Sequence, residues 1–221
     1  MNKKTRYLLI SSFALLLLFV LLIIGIKLFD VSPIGPLESE IGFSELNAYV
    51  HDLFGYNELW YELTEPTIYV ALLSAAAFAF LGLIQLIKRK SIFKVDTELY
   101  ILATLYVAVV GSFVLFELFV VNLRPVLTDG ELEASFPSTH TMLVICMIGS
   151  AIHYINHKFK HKAINITATV LGTFLISFSW IGRLLSGVHW FTDILGGLLI
   201  SFSLLLAYMA LYEFWLSKKK Q

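Results

Sequence analysis

The chain has 221 residues, 58% of them hydrophobic and only 14% charged, with a formal net charge of zero and a mean hydropathy of +0.80. A soluble domain of this length runs closer to half apolar and a quarter charged, so the composition excludes a soluble globular protein and points to an integral membrane one. The single cysteine, Cys146, excludes a disulfide framework and a cysteine-based metal site, and nucleic-acid binding is excluded because there is no arginine-rich segment or basic patch interleaved with aromatics.

Crossing the hydrocarbon takes about 20 apolar residues. Six stretches meet that requirement, roughly 7–29, 67–87, 99–123, 141–155, 163–181 and 191–216. The first has the basic start of a signal peptide, but its apolar run is too long and no A-x-A site follows, so it is expected to remain as an anchor. The fourth is short and contains His153, so its inner end is expected to emerge early. Between the first two lies a loop, 30–66, rich in Asp and Glu. Its stretch SELNAYVHDLFGYNELWYELTEP opens with a Ser-Glu helix start, and Tyr49, Phe54, Trp60 and Tyr61 suit a helix lying in the interface. Such a helix serves as an aromatic belt anchor or as a substrate gate. No repeat, low-complexity tract or linker divides the chain, which reads as one all-α, six-span membrane domain over 1–221.

The cations set the expected orientation. Thirteen of the sixteen Lys and Arg fall before span one, after spans two and four, or at the C-terminus, all on one side of a six-span topology. By the positive-inside rule both termini are then cytoplasmic. The outer side keeps only Lys27, Arg124 and Arg183.

Two of those three outer cations sit beside histidines in short outer loops. Arg124 lies in VVNLRPV, His140 in FPSTH, and Arg183 and His189 in GRLLSGVHWFTD. Ionisable groups at the membrane edge are functional candidates by default, and here the turns between spans bring two arginines, two histidines and Asp193 to one level. Two guanidiniums can clamp a phosphoryl group by bidentate hydrogen bonds. Pro137 to His140 open span four, so their amides form a helix N-terminus, an anion site. His189 and Asp193 are four apart and share a face if span six starts near His189, which lets the carboxylate hold one imidazole nitrogen and sharpen the other as a nucleophile. His140 can protonate the departing oxygen. Such a site transfers phosphoryl groups without a metal or other cofactor, and the spacing around His140 and His189 does not suit zinc.

The order R-P, then P-S-x-H, then R-x5-H-x3-D resembles the type 2 phosphatidic acid phosphatases (PAP2), in their membrane-bound lipid phosphatase branch, over about residues 99–216. The family pattern K-x6-R-P reads here as Glu117 through Pro125, P-S-G-H as Pro137–His140, and S-R-x5-H-x3-D as Gly182–Asp193. The resemblance implies that His189 is the nucleophile that becomes a phosphohistidine. It also implies that Asp193 orients it, that His140 is the general acid, and that Arg124, Arg183 and the Ser138–Thr139 segment bind phosphate.

Three positions depart from that pattern. Glu117 replaces the lysine. Glu117 lies seven residues, two helical turns, before Arg124 and on nearly the same face, where it can pair with that arginine, receive an amine from a substrate head group, or mark a weakened site. Thr139 replaces a glycine, which strains the backbone only if that position needs positive φ. Gly182 replaces the serine and removes a hydroxyl.

The expected function is a metal-independent membrane phosphatase, most simply of a bacterial plasma membrane. Its expected substrate is a lipid phosphate or diphosphate presented at the outer leaflet. A phosphotransferase using the same site, and a silent lipid-phosphate-binding protein, are the alternatives. The sequence does not fix the oligomeric state.

Overall fold

The computed structural model describes residues 1–128 and 130–219 as eight α-helices. In order they are α1 (Lys3–Leu28), α2 (Ser44–Phe54), α3 (Glu58–Thr64), α4 (Pro66–Arg89), α5 (Thr97–Leu118), α6 (Thr139–Lys158), α7 (Lys162–Leu185) and α8 (Phe191–Lys219). Among the described residues α1, α5, α7, α8 and the joined stretch 58–89 are long and apolar enough to cross a membrane. α6 is the fourth expected span. It is 20 residues long and less apolar, carrying Ser150, His153, Asn156 and His157. It tolerates those groups because α4, α5, α7 and α8 all pack on it, and most of its outer half is buried. The other helices turn Leu, Phe, Val and Ile side chains outward, as α1 does with Phe13, Leu17 and Leu21. The protein is a multi-pass membrane protein.

α1 runs along α8 and is fastened there by a reciprocal pair: Ser12 Oγ donates to the Ser203 carbonyl at 2.8 Å, and Ser203 Oγ to the Ser12 carbonyl at 2.9 Å. Hydroxyl pairs of this kind join helices where lipid supplies no hydrophobic drive. The main core lies between α1, α5, α6 and α8. At its top Phe136 stacks on Phe19 with ring centroids 5.6 Å apart, while Phe116 meets it edge-on. The Gly196-Gly197 pair of α8 makes that packing possible. A Cβ on Gly196 would come within 2.3 Å of the Phe136 ring, and one on Gly197 within 3.0 Å of the Ser138 carbonyl oxygen.

Two sequence expectations change. Span three does not continue as a helix to residue 123. α5 stops at Leu118, and 119–128 and 130–137 are irregular, with isolated bridges Leu123↔Ala134 and Thr128↔Glu131. Pro125 denies helical backbone to Arg124, and the buried Asn122 spends its amide on Thr192 and Asp193. Secondly, the single interfacial helix is two, broken at Gly55 (φ 61°). The start of α2 is capped from outside by Asp30, whose carboxylate accepts from Ser44 Oγ at 2.7 Å and the Glu45 amide at 2.8 Å.

At the end of the bundle opposite this loop, Asp96 is a junction. It accepts from Arg89 at 2.7 Å, Gln85 at 3.1 Å and Lys158 at 3.3 Å, joining the ends of α4 and α6 to the start of α5. The hydrogen bond from Arg89 leads in holding its carboxyl below its ordinary value of 3.8. A lowered carboxyl pKa contributes stability above the unfolded value and loses it as pH falls through the folded one. Asp96→Ala is therefore expected to cost up to about 1 kcal/mol at neutral pH, the range of partly exposed pairs. In thermal unfolding in detergent, the gap between wild type and variant should close as pH drops below the ordinary aspartate range.

Candidate active site

Six of the eight residues expected at the site, Glu117, Arg124, Thr139, His140, Arg183 and His189, line one cavity of about 250 Å³ at the end of the bundle that carries α2 and α3. Glu117 comes from the last turn of α5, and Tyr61, Glu65, Ile68, Phe113, Ala134 and Ser135 complete the lining.

His189 lies in the short link between α7 and α8. Asp193 is the third residue of α8, and its carboxylate reaches back to accept the Trp190 amide at 2.9 Å, the acidic half of a capping box. That duty sets the distance between the two residues: His189 Nδ1 and Asp193 Oδ2 stand 3.9 Å apart, too far for a hydrogen bond. The direct contact read from the four-residue spacing is replaced by a bridge. Ser135 Oγ lies 3.1 Å from His189 Nδ1 and donates to Asp193 Oδ2. A carboxylate only accepts, so the hydroxyl proton points to Asp193, and the oxygen is left to accept from Nδ1–H. Nε2 of His189 then holds the free lone pair. Asn122 Nδ2 completes the support at 3.3 Å from Asp193 Oδ1. Burial, then the charges of Arg124 and Arg183, hold the His189 pKa well below its ordinary 6.5, so the ring is neutral near pH 7.

The second imidazole is fixed at both nitrogens. Arg183 Nη2 only donates, and lies 2.6 Å from His140 Nδ1, so that nitrogen accepts. Nε2 therefore carries the proton and faces Thr67 Oγ1 at 2.8 Å, whose own hydroxyl donates to the Thr64 carbonyl. Arg183 is only 6% exposed. Glu65 takes its Nη2 at 2.5 Å, and the ring of Tyr61 lies 4.8 Å from its Cζ. Among the described residues its Nε and Nη1 have no hydrogen-bond partner. Buried guanidinium hydrogens without acceptors are costly, and Arg183 is one of the residues that line the cavity.

Arg124 does not pair with Glu117. It forms an ion pair with Glu133, Nε to Oε2 3.1 Å, across the irregular segment. With α5 ending at Leu118, the helical register that would have stacked residues 117 and 124 does not exist. Thr139 is the first residue of α6 and is absent from the positive-φ positions, so its β-branch carries no strain. Ser138 does not reach the cavity. It is fully buried, its amide donates to the Asp193 carbonyl at 3.0 Å, and its hydroxyl caps α6 at Thr141.

The outer loop contributes most of what the sequence reading missed. Buried Asn47 accepts the Thr192 amide at 3.2 Å and so holds the start of α8. The Asn57 amide donates to the Ser186 carbonyl at 3.0 Å. α3 packs on α7, and there Gly182 gains a reason: a Cβ at that position would lie 2.2 Å from Thr64 Cγ2. The serine of the family pattern has no room where α3 delivers Tyr61 and Glu65. The acidic residue directly before Pro66, level with Arg183, was the available signal for Glu65.

Residues 118–216 match the sequence profile of the PAP2 superfamily. Over 87 residues, 38% of the chain, the sequence is 28% identical to lipid phosphate phosphatase delta of Arabidopsis thaliana, and this match spans only 21% of that longer relative. The fold is similar to that of a transmembrane PAP2-type phosphatidylglycerolphosphate phosphatase from Bacillus subtilis known from a crystal structure. The TM-score is 0.61 and the identity 18%, covering 92% of this chain and 95% of that one.

Gly182→Ser is expected to push α3 outward and loosen the Glu65–Arg183 pair. Hydrogen exchange should quicken across 58–65 while the protection of α6 stays as in wild type.

Proposed function

We propose that this chain, whose residues 118–216 match the PAP2 superfamily, is a membrane lipid phosphatase working through a phosphohistidine at His189. The observation that carries this reading is the convergence of two groups on one small cavity: the neutral imidazole of His189 and the buried guanidinium of Arg183, two of whose nitrogens lack a partner among the described residues.

The phosphate settles against Arg183 Nε and Nη1 and the guanidinium of Arg124, with the amide end of α6 at Thr139 beside it. His189 Nε2 attacks phosphorus as the ester P–O bond breaks. The positive charge that develops stays on the ring, where the hydrogen bond from Nδ1–H to Ser135 Oγ and the ionised Asp193 behind it stabilise it. The leaving alkoxide takes a proton from His140. In the resting site the proton of His140 faces Thr67, so the acid function requires Nδ1 to be protonated and released from Arg183 as the phosphate takes over that guanidinium. Water then attacks the phosphohistidine, with His140 accepting its proton, and phosphate departs.

An amphiphile suits the surroundings. α4 and α5 flank the cavity with Ile68 and Phe113. Lower between the same helices lies an apolar cleft of about 490 Å³ lined by residues such as Phe78, Leu83, Leu99 and Tyr106. A lipid whose head group reached Arg183 would extend its chain along that pair. With the basic clusters cytoplasmic, the cavity opens on the outer leaflet of the plasma membrane and both termini lie inside.

Purified protein should release inorganic phosphate from dispersed lipid phosphates, and metal chelators should leave the rate unchanged. His189→Ala is expected to reduce release to background and to abolish the phosphoenzyme trapped by alkaline quench. His140→Ala should slow turnover by about 10²–10⁴ while phosphoenzyme still forms. Turnover by His189→Ala at the wild-type rate would end the phosphohistidine reading.

Because His189 must be neutral to attack and its pKa is held down, activity should persist as pH falls past the usual histidine range. The acidic limb of kcat/KM is expected below the ordinary value of 6.5.

A further inference from the structure

The fixed charges at the cavity are mismatched to a phosphate taken alone. Arg183 already meets Glu65, and Arg124 already meets Glu133. A further carboxylate, Glu117, lines the same space. Among the described residues that line the cavity this sets two guanidiniums against two carboxylates, Glu65 and Glu117, and a neutral His189 adds no positive charge. A phosphate monoester brings up to two more negative charges, and each uncompensated charge in a partly desolvated site is expensive.

Two independent features point to opposite charges side by side in the ligand. The unpartnered Nε and Nη1 of buried Arg183 call for an anion. Glu65 and Glu117 call for a cation next to it. Glu65 directly precedes α4 and Glu117 ends α5, so the two carboxylates flank the same helix pair that offers the apolar cleft. A head group arriving along α4 and α5 would pass between them. The cavity of about 250 Å³ holds a phosphate and a few further heavy atoms, so the cation must lie close to the phosphorus.

Resting on the phosphatase reading above, we propose that the substrate is a lipid monophosphate whose head group carries a protonated amine within two or three bonds of the phosphate ester oxygen. The arginines take the phosphate, and Glu117 with Glu65 takes the ammonium. A polyprenyl diphosphate adds negative charge and bulk without a cation and is a poor substrate. The same logic explains glutamate at 117: a lysine there would help a plain phosphate and repel the amine.

The test uses purified full-length protein in mixed micelles and measures phosphate release. The substrates are a long-chain 2-amino-1-alkanol phosphate, its N-acetylated counterpart, phosphatidic acid and a polyprenyl diphosphate. The free amine is expected to show kcat/KM about tenfold or more above the N-acetylated lipid, the scale of one charge-assisted hydrogen bond. In wild type, that ratio should fall toward one as pH rises through the titration of the amine. Glu117→Gln should shrink the ratio, and Glu117→Lys should invert it toward phosphatidic acid. Equal turnover of the amine and its N-acetyl form overturns the amine assignment and leaves the phosphatase reading standing. So does amine-free substrate reaching the same rate once magnesium is added, which would assign the positive charge to a metal ion. Turnover of none of the four lipids overturns both readings.

Discussion

The site depends on one buried carboxylate. Asp193 is fully enclosed, and an ionised carboxyl in that position survives only if hydrogen-bond donors replace water. Three do so from three parts of the chain: the Trp190 amide at the head of α8, the Ser135 hydroxyl, and the Asn122 side chain from the segment after α5. In satisfying itself, Asp193 ties α8 to the irregular stretches 119–128 and 130–137 and fixes the imidazole of His189 through Ser135. The same contacts that make the charge tolerable therefore also orient the imidazole proposed as the nucleophile. This explains how an oily bundle keeps so polar an edge: the cost of each charge is offset locally by a donor that also positions a reacting group.

A second layer is supplied by the outer loop, which is structural as much as interfacial. α2 and α3 do not simply rest their aromatic residues in the headgroup region. Tyr49 is exposed, but Asn47 secures the first turn of α8, and Tyr61 and Glu65 enclose Arg183. Gly187, at φ 66°, lets the α7–α8 link pass so close to Gly55 that an added Cβ would lie 2.0 Å from its carbonyl oxygen. Gly182 makes similar room for Thr64. The site is thus clamped between the C-terminal half that carries the family pattern and a loop from the N-terminal half that lies outside it.

The spans were legible because membrane helices announce themselves by composition alone, and five of the six expected ones clear a hydropathy criterion outright. That Arg124, His140, Arg183 and His189 meet at one cavity was legible because the turns between spans leave few places for them to go. Three features were hidden, each for a physical reason. The end of α5 at Leu118 depends on Asn122 being drawn into a tertiary contact, which no local propensity encodes. The bridge through Ser135 arises because Asp193 is also a helix cap, a second obligation invisible in the H-x3-D spacing. Glu65 and Ser138 exchanged expected places at the cavity, because reach is set by helix packing and not by nearness to a motif.

The weak apolarity of α6 follows from the same architecture. A helix surrounded by four others need not present lipid-soluble side chains, so it can carry His140 at its start and Ser150, His153 and Asn156 further along. It can also aim its N-terminal amides into a cavity instead of into headgroups. A helix facing lipid on one side could not do this without exposing unsatisfied backbone donors. The central position of α6 is therefore what permits a polar cavity at that end of the bundle. The peripheral helices α4 and α5 leave between them an apolar cleft lined by residues such as Phe78 and Leu99. The polar centre and the apolar approach are two consequences of wrapping one less hydrophobic helix in more hydrophobic ones.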